Sequence, residues 1–438
     1  MANVRRVFLT ILLGYLVAGA LFARYTPAWQ MPDEPAHYNY IRQVVEAGCC
    51  PRIETGDWSS DYLSQLTSGR FAPELLSELD SIQYEDHHPP LYYLLASLVY
   101  RLSGGDLVAL RLFSVLLGTG LVVLSYLVCR SILPNKPHIA LGVMALVAFL
   151  PQHLHMMSAV NNDALAELIV GLALLWLLRY LESDALPIWQ LGLIIGLAFL
   201  TKLTIYFLAL PALLAIWLKW RRSGEPTSKL LRSLAAFALM AGIIGGVWWL
   251  RNISVYGFPD FLGLAAHDRA VADQPRTADY IAQHGAGTFA VDLASTTYKS
   301  FWGQFGWMAL PLDNVLGGWI YRGFGLLLLA GISGALLASR RDESAASSSA
   351  LLLVTVLIVL LQFGYYNIEF QQWQGRYLFP ALIPIALLLV YGIDHWLDQL
   401  PRRYPRRRWL TPLGMMCLFA LDMYLLFRVI VPGLSYPL

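Results

Sequence analysis

Charge is scarce in this 438-residue sequence: Asp, Glu, Lys and Arg make up 14% of it, against about 25% in an ordinary soluble chain. A surface with so few charges cannot be solvated by water throughout. Neither sign dominates, since 31 Lys and Arg meet 29 Asp and Glu for a net charge of +2. Nucleic-acid binding through a basic face is therefore excluded. Cysteine is rare too, four in all, which rules out a disulfide-dense scaffold, and no Cys/His spacing of a metal site occurs. Cys129 and Cys417 fall in apolar runs. Cys49 and Cys50 are adjacent and are not expected to bond each other, because disulfide geometry favours Cα atoms further apart than one peptide allows. A glycine-rich nucleotide loop is missing as well, so any phosphate bound here comes from the membrane or the exterior rather than from ATP or a nucleotide sugar. No internal repeat of the inverted-transporter kind is found.

What is present is apolar: 57% of residues are hydrophobic and the mean hydropathy is +0.54. These figures define an all-α polytopic integral membrane protein, because in hydrocarbon every backbone polar group must be satisfied within the helix. About eleven apolar runs approach the roughly 17–25 residues that a span needs. They lie near 7–23, 107–129, 139–157, 164–181, 187–201, 203–220, 231–250, 315–338, 350–366, 377–396 and 409–430. The first run also fits a signal peptide, with Arg5-Arg6 before it and Ala18-Gly19-Ala20 as a cleavage site; a retained helix is expected.

Basic residues set the orientation. With the N-terminus in the cytoplasm, Arg5, Arg6, Arg130, Lys136, Arg179, Lys219, Arg221, Arg222, Lys229, Arg232, Arg340, Arg341, Arg402, Arg403, Arg406, Arg407 and Arg408 all lie inside, 17 in total. The short outer connections 158–163, 201–203 and 367–376 hold only Lys202 and Arg376. Two outer loops, 24–106 and 251–313, are too long to be mere connectors and too aromatic for disorder, so both are expected to fold. Leu91 to Leu102 within the first reads as an interfacial helix. The chain thus divides into a transmembrane module over 1–250 that includes the loop 24–106, a second outer loop over 251–313, and C-terminal transmembrane helices over 314–438.

Polar residues gather at the outer edges of these runs. In Met31-Pro32-Asp33-Glu34-Pro35-Ala36-His37, Asp33 stands at a helix start and shares a face with His37 one turn on. A carboxylate there suits proton abstraction from a hydroxyl; it equally suits a helix cap. Glu85-Asp86-His87-His88-Pro89-Pro90-Leu91-Tyr92-Tyr93 presents histidines at a proline-started helix, where an anion is attracted; solvated turn histidines are the alternative. In Asn161-Asn162-Asp163, Asp163 and Glu167 are spaced i, i+4, and Glu167 sits below the interface, where an ionisable group normally has a partner. Gln374-Gly375-Arg376-Tyr377 places a cation on the side where basic residues are disfavoured, a phosphate site in physical terms, with snorkelling to headgroups as the alternative. Lys202 and Arg251 add cations to that face. Trp248-Trp249 and the aromatic run from Phe301 to Trp307 read as interface anchors.

The order of these motifs resembles the GT-C superfamily: a first span, an Asp-Glu pair early in a long outer loop, a Pro-Pro-Leu-Tyr-Tyr segment, and an Asn-x-Asp mouth before the fourth span. It is similar to protein O-mannosyltransferases and to the lipid A aminoarabinose transferases, best over the first 200 or so residues. The resemblance implies a GT-C-like fold with amphipathic helices in the outer loops. It implies a glycosyltransferase of the bacterial cytoplasmic membrane that takes a sugar from a polyprenyl-phosphate donor to an acceptor hydroxyl at the outer face, with inversion. Asp33 would be the general base and Glu34 would orient acceptor or donor. His88, Lys202, Arg251 and Arg376 would bind the donor phosphate; His37, Asp163, Glu167 and Tyr377 would position the acceptor or a metal. His88 stands where the aminoarabinose transferases carry a lysine, a departure that shifts phosphate binding towards the other cations. In some members the second acid helps to hold a metal, which leaves a divalent cation open as a cofactor for Asp163. The acceptor is expected to be lipid-linked, a glycan or a peptide, with membrane lipids as the surroundings. Two other readings stay open: a flippase or transporter, for which Asp422 is the only clear deep acid, and a glycan polymerase or ligase using a diphosphate-linked donor.

Overall fold

The computed structural model describes residues 2–183, 186–339, 346–399 and 409–436. Arg340, Arg341 and the basic cluster of Arg402, Arg403, Arg406, Arg407 and Arg408 lie outside the described residues.

The chain is almost entirely helical. In order the helices are α1 (Ala2–Tyr25), α2 (Glu34–Glu46), α3 (Ser60–Ser68), α4 (Leu91–Ser103), α5 (Leu107–Ile132), α6 (Pro137–Phe149), α7 (Pro151–Met157), α8 (Asp163–Glu182), α9 (Ile188–Phe199) and α10 (Ala209–Ser223). There follow α11 (Thr227–Tyr256), α12 (Leu264–Ala270), α13 (Thr277–His284), α14 (Ala286–Trp302), α15 (Trp319–Ser339), α16 (Ala346–Glu369), α17 (Leu382–Asp398), α18 (Leu410–Leu425) and α19 (Val431–Leu434). A two-stranded antiparallel ribbon, β1 (Gln304–Phe305) and β2 (Leu310–Pro311), follows α14.

Nine helical segments among the described residues are long and apolar enough to cross a membrane. The α6–α7 pair supplies a further span bent by 63°, and α9 is a shorter apolar helix of 12 residues. Together they account for the eleven apolar runs. The bend has a plain cause: Pro151 cannot continue a helix, and Leu150 before it is extended at ψ 117°.

The chain forms two compact units. The first comprises Met1–Tyr25, Thr119–His155 and Pro275–Gly433. Its α6 is buried at every position from Ile139 to Phe149, as an all-apolar helix must be. Its α15 and α17 cross backbone to backbone, since a Cβ on Gly392 would overlap the carbonyl of Gly331. Small residues permit this approach, which is how helices associate where lipid competes for apolar contact.

The second unit comprises Thr26–Gly118, Met156–Gln274 and Leu434–Leu438. Here Gly192 and Gly196 of α9 let α11 settle against them through Met240 and Ile244. The far side of α11 is bare, with Leu239, Ile243, Val247 and Leu250 at least 60% exposed, the stripe that lipid would cover. The loop 24–106 does fold, as α2, α3, a 3₁₀ segment (Pro73–Ser81) and α4. Helix α4 buries Tyr92, Tyr93, Ala96 and Ser97 and exposes Leu94, Leu95, Leu98 and Leu102, the division expected of an interfacial helix. Tyr40 of α2 stacks on Tyr93 of α4 at 3.6 Å. Cys49 and Cys50, against expectation, are bonded to each other across a cis peptide bond.

Candidate active site

Eight of the ten residues singled out from the sequence lie in the second unit: Asp33, Glu34, His37, His88, Asp163, Glu167, Lys202 and Arg251. Asp33 immediately precedes α2 in the left-handed region, φ 65°. Asp is one of the few side chains that tolerate this conformation. Its carboxylate does not cap the helix. Oδ1 instead accepts a hydrogen bond of 2.8 Å from the Tyr84 hydroxyl, and Tyr84 is wedged edge-on against Trp58 at 5.0 Å. Asp33 is therefore aimed by a side chain 51 residues away, while staying partly accessible.

Glu34 has the opposite environment. It is fully buried, and its two oxygens accept from Arg111 Nε at 2.7 Å and Nη2 at 2.6 Å, from Trp29 N at 3.1 Å and from Val160 N at 3.2 Å. Arg111 donates further to the carbonyls of Thr26 and Pro27. One ion pair thus ties the start of α2, the chain before it, α5 and the mouth of α8 together. Such charge-assisted pairing is what makes burial of either group tolerable.

Around His37 the other elements converge. Its Nδ1 lies 2.8 Å from the Tyr93 hydroxyl, which also accepts from Asn162 Nδ2 at 3.2 Å. The His37 ring faces His88 at 6.5 Å, His88 meets His87 at 4.2 Å, and His87 meets His267 of α12 at 4.3 Å. Burial pushes the His37 imidazole down to about 4; the charges of Glu85 and Asp33 resist this, and those of Lys202 and His88 assist it. His37 is thus neutral at pH 7 and electrostatically coupled to Asp33 and Lys202. His87 is pushed well below its ordinary range by burial, then by His88 and His267. Burial would raise the Glu85 carboxyl, but His88 Nε2 at 2.8 Å outweighs it and holds it well below the usual range. Asp86 is raised well above that range by burial, although Gln43 donates to it at 2.7 Å.

Asp163 opens α8 and pairs with Lys202 Nζ at 2.7 Å. Lys202 follows the C-terminus of α9, so each charge complements its own helix dipole as well as its partner. Glu167 is buried one turn below. Arg251 turns its guanidinium to the carbonyls of Cys50 and Pro51, and to Asn252 Oδ1 at 3.0 Å, with its charge over the rings of Trp248 and Tyr256. Trp248 is thus a stacking partner for a cation rather than only an anchor.

Arg376 and Tyr377 belong to the first unit. Arg376 is buried in the 3₁₀ turn Gly375–Ala381, beside the Tyr377 ring. Gly375 fits there because a Cβ would strike the backbone of Thr297 and Phe301. Tyr377 donates to Gln372 Oε1 at 3.1 Å.

Among the described residues no three His, Cys, Asp or Glu side chains group so as to hold a metal ion. The Asp163 carboxylate already has Lys202 as its counter-charge. Among the described residues, the side chains present do not build a cation site at Asp163.

The native His37 ring takes its proton near pH 4, and the unfolded ring near 6.5. Between those values the unfolded chain binds the extra proton, so stability is whole above about pH 6.5 and falls towards pH 4, by about 3 kcal/mol from this ring. Asp86 acts with the opposite sign: its raised carboxyl favours the fold at low pH and loses that contribution as pH rises. Unfolding of wild type and His37→Asn in detergent across this window isolates the His37 share. The wild type is expected to lose stability more steeply, and parallel curves would contradict it.

Sequence reasoning passed over Arg111, Tyr84 and Tyr93. Arg111 had a signal: an arginine four residues into an apolar run needs a partner. The tyrosines had none beyond lying in or beside a motif.

The fold is that of a polytopic, almost wholly helical membrane protein. A family model for dolichyl-phosphate-mannose-protein mannosyltransferases matches residues 87–249, the stretch that contains His87, His88, Asp163 and Lys202. ArnT from Cupriavidus metallidurans, solved with undecaprenyl phosphate, matches at TM-score 0.55 and 14% identity, over 99% of this chain and 74% of ArnT. The Archaeoglobus fulgidus oligosaccharyltransferase in its apo form matches at TM-score 0.53 and 14% identity, over 98% of this chain and 56% of its own. The same archaeal enzyme, AglB, solved with an inhibitory peptide and a dolichol-phosphate, gives 0.51 at 13% identity over the same shares. At these identities the likeness is one of fold. No curated protein sequence matches the chain. The GT-C-like fold that the motif order implied is borne out.

Proposed function

We propose that this protein is a membrane glycosyltransferase that moves a sugar from a polyprenyl-phosphate donor to an acceptor hydroxyl, with inversion and with Asp33 as general base. The observation that carries the proposal is the setting of Asp33: a partly accessible carboxylate aimed by Tyr84, beside a neutral His37 ring on which the Lys202 charge also acts. The acceptor hydroxyl loses its proton to Asp33 as its oxygen attacks the anomeric carbon. The bond from that carbon to the phosphate oxygen breaks, and polyprenyl phosphate leaves with the electron pair. A fixed cation such as Lys202 stabilises the charge growing on that oxygen, the kind of preorganised electrostatics that dominates many active sites. Glu34 serves this reaction by holding the chain that presents Asp33. The undecaprenyl phosphate and dolichol-phosphate bound by proteins of the same fold support an isoprenoid phosphate donor. The bias of basic residues supports a cytoplasmic N-terminus and a site on the outer face of a bacterial inner membrane.

Purified protein supplied with a panel of polyprenyl-monophosphate sugars is expected to release polyprenyl phosphate. Release from diphosphate donors alone would move the protein to the polymerase or ligase reading, and lipid movement without bond cleavage to the flippase reading. Lys202→Gln is expected to lower kcat/KM for the active donor by roughly 10²–10³, the usual loss for one transition-state donor. A loss under threefold would remove Lys202 from the site.

A further inference from the structure

Tyr84, which aims Asp33, is followed directly by Glu85, a carboxylate to which the glycosyl transfer described above gives no part. The backbone N–H of His88 donates to the Glu85 carbonyl at 2.9 Å. This turn brings the two side chains together, with His88 Nε2 2.8 Å from Glu85 Oε2. Asp86 between them points elsewhere, wholly buried and bonded to Gln43. Glu85 and His88 are nine-tenths buried but not sealed: their side chains keep 12% and 11% of their surface, whereas Glu34 keeps none.

Both have hydrogen-bonding capacity left over. Apart from the His88 ring, the Glu85 carboxylate has no side-chain partner among the described residues, and His88 Nδ1 has no partner there. A carboxylate has about four lone-pair sites, and buried polar groups normally fill theirs. The missing partner must donate hydrogens. A phosphodiester only accepts them, and Glu85 would repel it, so the donor phosphate expected at His88 from the sequence finds no welcome there. The other rings of this wall, His37, His87 and His267, are pushed down by burial and leave the negative charge of Glu85 uncancelled. A ligand rich in hydroxyls and free of carboxylates fits these groups.

The place of the pair names the ligand. Asp33, Glu85 and Lys202 all act on the His37 ring, and the His88 ring faces it at 6.5 Å. In the proposed transfer Asp33 meets the acceptor hydroxyl and Lys202 the leaving oxygen, which leaves the rest of the sugar ring to be held. Resting on that reading, we propose that Glu85 and His88 form the subsite for the donor sugar. Glu85 accepts from one hydroxyl and His88 Nδ1 meets a second, so the subsite selects neutral sugars over those that carry a carboxylate. Holding the turn before α4 is the bland alternative. That turn, however, already has its backbone bond and the two prolines, and an ionised side chain adds nothing it needs.

The test uses the full-length protein in detergent and polyprenyl-monophosphate hexoses, each paired with the same hexose oxidised to a carboxylate at its sixth carbon. The acceptor is held constant and release of polyprenyl phosphate is measured. The wild type is expected to favour the neutral member in kcat/KM by about a hundredfold or more, because juxtaposed like charges poorly reached by water are strongly disfavoured. Glu85→Gln, which can still accept from a hydroxyl and can also donate to a carboxylate, is expected to narrow that ratio by about tenfold or more. Loss of a merely structural pair would lower both activities together, and an unchanged ratio overturns the proposal. Should Glu85→Gln fail to fold, the wild-type ratio decides: acidic donors used within about tenfold of neutral ones overturn it. His88→Gln is expected to leave inhibition by free polyprenyl phosphate within about threefold of wild type, since no anion is held there. A tenfold weakening would return the phosphate to His88 and overturns the subsite. A preference shifted among acceptors, with the donor ratio unmoved, gives Glu85 to the acceptor and overturns it as well. Absence of turnover with every monophosphate donor is a different failure: it removes the transfer reading itself, and the subsite with it.

Discussion

Asp33→Asn is expected to lower the rate of sugar transfer by about 10²–10⁴, the contribution of a positioned general base, with the unfolding temperature nearly unchanged. Asparagine matches the shape of the carboxylate and can still accept from the Tyr84 hydroxyl through its carbonyl, so the left-handed turn and the start of α2 should survive. What it cannot do is take the acceptor proton. The loss is expected in kcat, because Asp33 meets the hydroxyl that reacts and not the donor phosphate, and donor KM should stay within about threefold. Tyr84→Phe provides the graded control. It removes the 2.8 Å bond that aims Oδ1 but leaves the ring against Trp58, so a smaller fall in kcat of about tenfold is expected, since misorientation alone costs rate. Release of polyprenyl phosphate from a labelled donor measures all of these. A fully active, folded Asp33→Asn protein would take the base away from this site.

How far the sequence revealed this arrangement follows from how far each signal reaches along the chain. Spans are local: an apolar run carries its own evidence, and even the bend at Pro151 and the shortness of α9 change the shape of a span without hiding it. Polar residues at the edges of such runs, Asp33, His88, Asp163 and Lys202 among them, stood out because hydrocarbon makes them costly and position makes them conspicuous. Their partners did not stand out. That Asp33 is aimed by Tyr84, that His37 and Asn162 share the Tyr93 hydroxyl, and that Arg251 spends its guanidinium on the Cys50 and Pro51 carbonyls are facts of tertiary packing, set by residues 51 to 201 positions apart. Periodicity is blind at that range. The readings also treated Asp33 and Glu34 as one acidic pair, although adjacent residues at a helix start point in different directions: one carboxylate looks out past Tyr84, the other is fully buried against α5.

That separation yields the largest expected effect on stability. Arg111→Met leaves the Glu34 carboxylate buried with only the Trp29 and Val160 backbone N–H groups, and breaking a buried ion pair from one side costs about 3–5 kcal/mol. Glu34→Leu exposes the converse fault, an uncompensated guanidinium held by the Thr26 and Pro27 carbonyls, and should cost a similar amount. Removing both charges together should cost far less than the sum, because an apolar pair of similar volume replaces a buried ion pair nearly neutrally. A coupling of more than about 3 kcal/mol between the two positions is therefore expected from unfolding of the single and double variants in detergent. Activity of the double variant then separates two roles for Glu34. If it only holds the chain that presents Asp33, the refolded double variant should regain transfer to within about tenfold of wild type. If Glu34 itself meets acceptor or donor, stability returns and transfer does not. The geometry favours the first outcome: four donors already fill the two Glu34 oxygens, three of them at 3.1 Å or less, and its side chain has no exposed surface with which to touch a substrate.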